Sequence, residues 1–338
     1  MELVHQALNG NRRALARLIS QVEDDGSLAA QALGQVFART GRARIIGVTG
    51  SPGTGKSTLV SELAKAYRHA GQTVGIVAVD PTSSFTGGAI LGDRIRMRDL
   101  AGDPGVFIRS MATRGSLGGL ARATADVIKI LDAAGYEVIL IETVGAGQSE
   151  VDIARTADTT VVVEAPGLGD EVQAIKAGIL EIADVLVVNK ADREGASNTV
   201  RALEAMLNLG AAARTVSHHG VTMTVGVPTS AGRNPHPADV APVWRPPILQ
   251  TVALDGKGIT EVVDAISRHL AYLVESGEGE SRRRARLAGE LEAILRETLL
   301  RQLMVKLAPA DLAGMVERIA AREIDPYQAA GILLTQHF

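Results

Sequence analysis

The sequence predicts an α/β protein: a central, mostly parallel sheet flanked by helices, with helical extensions at both ends. Three observations carry the prediction. Short apolar runs recur at 45–48, 73–79, 106–111, 136–142, 159–164, 185–188 and 248–250, separated by loops and segments of helical spacing, and strands that alternate with helices build a parallel sheet. Directly after the first run stands Gly50-Ser51-Pro52-Gly53-Thr54-Gly55-Lys56-Ser57-Thr58, which satisfies G-x-x-x-x-G-K-[ST], so the fold is read as a P-loop NTPase. Residues 1–40 and 278–338, by contrast, carry helical spacing and no chemistry-bearing motif. The domain reading is therefore an N-terminal helical extension (1–40), a nucleotide domain (41–277) interrupted by an excursion at 217–243, and a C-terminal helical extension (278–338).

Composition narrows the function classes. With 338 residues there is chain for two domains, and 46% hydrophobic with 22% charged residues is a globular balance. A net charge of −3 and 3% aromatic content supply neither the basic surface nor the stacking platforms of a nucleic-acid binder, so no nucleic acid is expected as a partner. The absence of cysteine excludes disulfides, thiolate catalysis and Cys-ligated zinc. The N-terminus opens no signal peptide and no apolar run reaches spanning length, so the expectation is a cytoplasmic protein with no membrane partner.

The P-loop is read from its chemistry. Its glycines let successive N–H groups point at phosphate oxygens, and the helix that follows adds its partial positive charge. Lys56 is expected on the β- and γ-phosphates and Ser57 on Mg²⁺. The second strand is expected to close at Asp80-Pro81. Asp80 then lies beside the phosphate site, either in the Mg²⁺ shell, orienting the attacking water, or simply opening the Asp-Pro turn. The polar, glycine-rich segment 82–94 reads as a loop able to close over the γ-phosphate, and its Asp93 is a second carboxylate of metal-shell type. The strand ending in Glu142 has the Walker B arrangement with Glu where Asp is usual. Gly145, just beyond, leaves its backbone N–H open to the γ-phosphate.

Asn189-Lys190-Ala191-Asp192 selects the base. A carboxylate at Asp192 can accept from both N1–H and the exocyclic amine of guanine, which adenine cannot match, so GTP/GDP is the expected nucleotide. Asn189 is expected to hold this loop to the P-loop, and the stem of Lys190 to lie on the base plane. A second base loop is sought at Thr251-Val252-Ala253-Leu254, after the strand at 248–250.

His218, His219 and His236 lack a completing ligand set for zinc, and 217–228 is either an added hairpin or unstructured. A long helix is expected from Gly258 to Ser276, a break at Glu278-Gly279-Glu280, and a second long helix opened by Arg282, with Leu287, Leu291, Leu295 and Leu299 on one stripe. Shorter helices are expected near 309–322 and 326–334. Such a tail reads as an oligomerisation or docking element.

Taken together, the P-loop, Val79-Asp80-Pro81-Thr82-Ser83-Ser84, the run from Gly87 to Met97, Ile141-Glu142-Thr143-Val144-Gly145-Ala146-Gly147-Gln148-Ser149-Glu150 and the run from Gly167 to Gly178 resemble the MeaB/ArgK family of P-loop GTPases, over roughly 35–305. The resemblance implies a GTPase chaperone of an adenosylcobalamin-dependent acyl-CoA mutase, usually methylmalonyl-CoA mutase, working as a homodimer through its C-terminal helices. It implies that Lys56, Asp80 and Asp93 serve catalysis, that Ser57, Asp80, Asp93 and Glu142 surround Mg²⁺, and that the 167–176 loop, with Asp170 and Lys176, is a further switch. Val252 stands where many members have Ser, which leaves the Ala253 N–H for guanine O6. Two other classes remain open: an ATPase or kinase coupled to basic amino-acid transport, and a metal-insertion GTPase, which would want a Cys or His cluster near the switches.

Overall fold

A computed structural model describes residues 2–24, 26–81, 97–100, 102–113, 119–143, 153–167, 180–213, 215–218, 221–224 and 243–337. The described chain divides into two compact units, Met1–Gly279 and Glu280–Phe338.

The first unit is built on seven strands: β1 (Arg44–Thr49), β2 (Val74–Pro81), β3 (Val106–Thr113), β4 (Val138–Thr143), β5 (Thr159–Glu164), β6 (Val185–Asn189) and β9 (Ile248–Thr251). They pair in the order β3-β2-β4-β1-β5-β6-β9, every pair parallel. β1 is the middle strand. After it the chain fills one side with β2, β3 and β4 and then crosses to the other side for β5, β6 and β9. The loop after β1 therefore leaves the sheet at its topological switch point, where open α/β sheets bind ligands.

Alternation along the strands sorts the core into layers. Val161 and Val163 join Ile46, Val48 and Leu140 under α4 (Lys56–His69) and α7 (Ile259–Glu275), whose Leu59, Leu63, Val262 and Ile266 are buried with them. On the other face, Val77, Ile139 and Ile141 meet α5 (Gly119–Ala133) and the N-terminal helices α1 (Glu2–Leu8), α2 (Arg12–Asp24) and α3 (Gly26–Val36), through Leu15, Leu18, Ile19 and Leu131. Each fully buried Leu or Ile contributes about 1.5–3 kcal/mol. The N-terminal helices thus form part of a layer on the sheet, as their apolar spacing anticipates. Polar ties reinforce the docking: Arg12 donates to the Asp103 and Val106 carbonyls at 2.9 and 2.6 Å, and Arg109 pairs with Glu23. Buried Asp132 accepts from the backbone N–H groups of Gly41, Arg42 and Ala43, which fixes the chain's entry into β1.

Four features correct or complete the sequence expectations. β2 takes in Asp80 and Pro81 as its last two residues, where the sequence reading has them close the run at 73–79, because its full length pairs with β3 as far as Pro81↔Thr113. α6 (Ala196–Ala213), which packs Ala196 and Leu203 against Val162, Leu186 and Val188, had no expectation. A hairpin forms in the excursion, β7 (Thr215–His218) antiparallel to β8 (Val221–Thr224), and so decides for the hairpin alternative there. The break before the tail falls at Gly277, with φ +72°, and not at 278–280, so α8 (Glu278–Lys306) starts four residues before Arg282. The acidic first turn Glu278/Glu280 suits a helix N-terminus better than the arginines do.

In the second unit α8 continues and is followed by α9 (Pro309–Ala320) and α10 (Pro326–His337). Asp325 caps α10 by accepting from the N–H groups of Tyr327 and Gln328 at 2.7 and 3.0 Å. Among the described residues no helix is long and apolar enough to cross a membrane.

Candidate functional site

The carboxyl ends of β1, β4, β6 and β9 and the start of α4 converge. Gly50 leaves β1 with φ +134°, and a Cβ there would lie 2.0 Å from the Val163 carbonyl oxygen, so only glycine lets the loop turn against β5. Gly55, at φ +93°, is the N-cap of α4, and a Cβ on it would meet Asn189 Nδ2 at 2.5 Å. Between them Thr54 is fully buried and donates to the Ser51 carbonyl at 2.9 Å, while Pro52 and Gly53 face outward. Thr58 is half-buried in the first turn of α4.

Lys56 is only 6% exposed, and its Nζ donates to the carbonyls of Gly50 at 2.7 Å and Ser51 at 2.9 Å. The loop thus curls around its own ammonium, which holds the charge in place at the strand ends. Beside it Ser57 Oγ donates to Glu142 Oε1 at 2.5 Å, both residues buried. Register explains the meeting, because Glu142 lies level with Val48 on neighbouring β1. A hydroxyl and a carboxylate are hard oxygen donors of the kind Mg²⁺ takes, so this pair fits the metal that the sequence anticipates. Thr143 Oγ1, one residue on, donates to Thr49 Oγ1 at 3.0 Å and ties β4 to β1.

The base side is organised by Asn189. Its Nδ2 donates to the Thr54 carbonyl at 2.8 Å, and its Oδ1 accepts from Thr251 Oγ1 at 3.0 Å and from the Ala253 N–H at 3.1 Å. One side chain therefore joins the P-loop, the Asn189–Asp192 loop and the loop after β9. The Ala253 N–H, which the family resemblance leaves for guanine O6, is in this structure engaged by Asn189. Lys190 sits at φ +57°, a conformation rare for a residue with a Cβ, and its Nζ reaches the Gly53 carbonyl at 2.5 Å, so its stem crosses from one loop to the other. Asp192 is exposed at the rim. Val252 is half-buried, and Leu254, 86% exposed, projects from the short turn Ala253–Asp255.

Asp80 is in β2, its backbone paired with Ala112 of β3. Its side chain, and all of Asp93, Gly145, Asp170 and Lys176, lie outside the described residues. Thr251 is the participant that the sequence reading left without a role. Its hydroxyl donates to Asn189 Oδ1, in an orientation that the Ala253 N–H and the Thr54 carbonyl fix, and its carbonyl accepts from the Ala191 N–H at 3.0 Å. The available signal was its place directly after the strand read at 248–250, at the start of the second base loop.

The family profile described as methylmalonyl Co-A mutase-associated GTPase MeaB matches residues 15–308. The chain belongs to the MeaB family of GTPases. It is 46% identical over 335 residues to a protein of Pyrococcus abyssi that carries a provisional GTPase name, covering 99% of this chain and 96% of that one. It is 30% identical to the mitochondrial methylmalonic aciduria type A homolog of Caenorhabditis elegans, covering 100% of this chain and 82% of the relative. Among solved structures it resembles a LAO/AO transport system kinase, with a TM-score of 0.67 and 25% identity over 99% of this chain and 96% of that one. As a MeaB-family GTPase the chain binds guanine nucleotide and hydrolyses GTP.

Proposed function

We propose that this GTPase is a switch and chaperone for an adenosylcobalamin-dependent acyl-CoA mutase, methylmalonyl-CoA mutase first, gating cofactor loading and protecting the mutase. The observation that carries the reading is the match of a mutase-associated GTPase family over residues 15–308. The likeness to a methylmalonic aciduria type A homolog supports the same partner.

In this reading Asp192 accepts from the guanine edge, the Lys190 stem flanks the base, and the P-loop amides with Lys56 stabilise charge as water attacks the γ-phosphate in line. Ser57 and Glu142, with Asp80 and Asp93, would hold Mg²⁺, which when bound neutralises phosphate charge. No Arg or Gln has an assigned place as a transition-state stabiliser, so hydrolysis is slow alone and accelerated when the mutase completes the site through the loops at 80–94, 143–149 or 166–176. The protein acts as a homodimer through residues 278–338, supported by leucines 287, 291, 295 and 299, all exposed at steps of four along α8.

The test is co-elution with purified mutase under GDP and under a non-hydrolysable GTP analogue, with GTP turnover measured with and without the mutase. Nucleotide-dependent co-elution and faster turnover are expected. Turnover at metabolic-kinase rates with no gain from the mutase would overturn the proposal. A second reading, an ATP-dependent kinase linked to basic amino-acid transport, draws on the name of the solved relative. ATP binding as tight as GTP binding, retained in Asp192→Asn, would favour it.

A further inference from the structure

α7 begins where the second base loop ends, at Gly258, and finishes at Ser276, where the chain turns into α8. One 17-residue rod, about 25 Å long, thus has the base loop at one end and the root of the C-terminal helices at the other. Both ends are tightly specified. At the first, Gly258 takes φ +79°, and a Cβ there would lie 2.3 Å from the Gln250 carbonyl oxygen. The Lys257 carbonyl accepts from the Val252 N–H at 3.1 Å, closing the loop whose Ala253 bonds Asn189. At the second, Gly277 takes φ +72°, and a Cβ on Gly279 would press on the Leu273 carbonyl oxygen at 3.1 Å. Ser276 Oγ accepts from the Glu278 N–H at 3.2 Å, and Tyr272 Oη donates to Glu278 Oε2 at 2.9 Å across the corner.

The rod also lies against the P-loop helix and the sheet beneath it. Its Val262, Ala265 and Ile266 share a core with Leu59 and Leu63 of the P-loop helix. Halfway along, buried His269 has Nδ1 2.8 Å from Thr159 Oγ1 and Nε2 3.1 Å from Asp184 Oδ1, at the ends of β5 and β6 remote from the nucleotide. Trp244 covers this point, its ring 4.9 Å from His269 and 5.5 Å from Tyr272, and its Nε1 donates to the Asp184 carbonyl at 2.8 Å. Close-packed helices move as bodies, so what holds the Tyr272 corner also sets where α7 presents the base loop.

We infer that the α7–α8 corner regulates nucleotide release: the Tyr272–Glu278 hydrogen bond is a positioning contact that keeps the base loop closed, and a partner that displaces the root of α8 speeds loss of GDP through α7. The inference rests on the base being read at Asp192 and the adjoining loop, and it adds the route by which a bound partner would act on that site.

The experiment measures dissociation of N-methylanthraniloyl-GDP from the full chain, with melting temperature followed alongside. Tyr272→Phe keeps the ring in the Trp244 cluster and removes only the donor; Glu278→Ala removes the acceptor; Glu278→Gln keeps an acceptor and serves as the rescue. Release is expected to rise between about twofold and tenfold in Tyr272→Phe and Glu278→Ala, the range one lost hydrogen bond allows. Glu278→Gln should stay near wild type, and the Tyr272→Phe/Glu278→Ala double variant should be no faster than either single one. Emission of Trp244, the one tryptophan of the sequence, should shift on GDP binding in wild type and shift less in Tyr272→Phe. Wild-type release in Tyr272→Phe, or additive effects in the double variant, would overturn the coupling. Asp192→Asn, run in parallel, tests the base reading by itself: unchanged GDP affinity there sinks that reading whatever Tyr272→Phe does.

Discussion

α4 and α8 are both helices that combine leucine with lysine or arginine, yet eight of the 14 residues of α4 are buried, while α8, with 29, buries none. α4 exists because the sheet needs its apolar face covered. Its polar first turn, Lys56 and Ser57, is buried with it, so packing and chemistry are decided together. α8 stands on good helix formers and on ion pairs four residues apart, Glu280/Arg284, Glu292/Arg296 and Glu297/Arg301, and carries most of its leucines outward. The contrast teaches that an apolar stripe in sequence predicts a helix, whereas its burial depends on whether the same chain supplies the opposing surface.

The sharpest way to break this contrast is paired truncation. Leu63→Ala in α4 should cost about 2–5 kcal/mol in denaturant unfolding, because the fully buried site cannot close over the cavity. Leu295→Ala in α8, at a site 52% exposed, should change the chain's own stability by less than about 0.5 kcal/mol. The same Leu295 change should still weaken the proposed dimer in analytical ultracentrifugation. Equal losses of stability at the two sites would show that α8 is packed after all.

Exposure in the nucleotide domain should have a different meaning, and Asp192 tests it. Asp192→Asn should lower GTP affinity between about tenfold and a hundredfold in calorimetry, the cost of leaving paired donors unmet, with little change in melting temperature. Smaller still are the ion pairs of α8. Glu292→Gln should cost about 0.3–0.5 kcal/mol at low salt and nothing measurable in high salt, by thermal melts of both proteins in both buffers.

The smallest effect expected is acidic. The Arg68 guanidinium, helped by the Gly105 N–H, holds the Asp103 carboxyl below its ordinary value of 3.8. A depressed carboxyl contributes stability that is complete above its unfolded value and is lost as pH falls through the lower folded one. Asp103→Asn should therefore lower the melting temperature near neutrality, and the gap from wild type should shrink below pH 3.8. A gap that stays constant into acid would mean that the bidentate geometry, 2.8 and 3.0 Å, matters and the charge does not.

Most of the α/β framework was legible because buried parallel strands read as unbroken apolar runs, and each run from 45–48 to 248–250 overlaps a strand. α6 was missed because it lies between the base motif and the excursion, where no short signal marks its start. The helix boundary at 278 was misplaced for a related reason: Glu278-Gly279-Glu280 looks like a break by composition, but Gly279 is needed for close approach to Leu273 and the left-handed turn belongs to Gly277. At the site, the P-loop residues and Asn189 were readable from their spacing alone. The engagement of Ala253 by Asn189 and the part of Thr251 were not, since both depend on β6 and β9 lying side by side, with Asn189 paired to Thr251.

By itself the sequence determined the local chemistry: where glycine frees the backbone to curl, which lysine and serine follow it, and which carboxylates end the strands. Those features depend on neighbours a few residues away, and short-range sterics and spacing are written along the chain. Which loops share one asparagine, which leucines find an opposing surface and which glycine turns the corner into α8 were decided only in three dimensions, because each is a contact between segments tens to hundreds of residues apart. Strand order and register create those contacts, and a linear pattern contains neither.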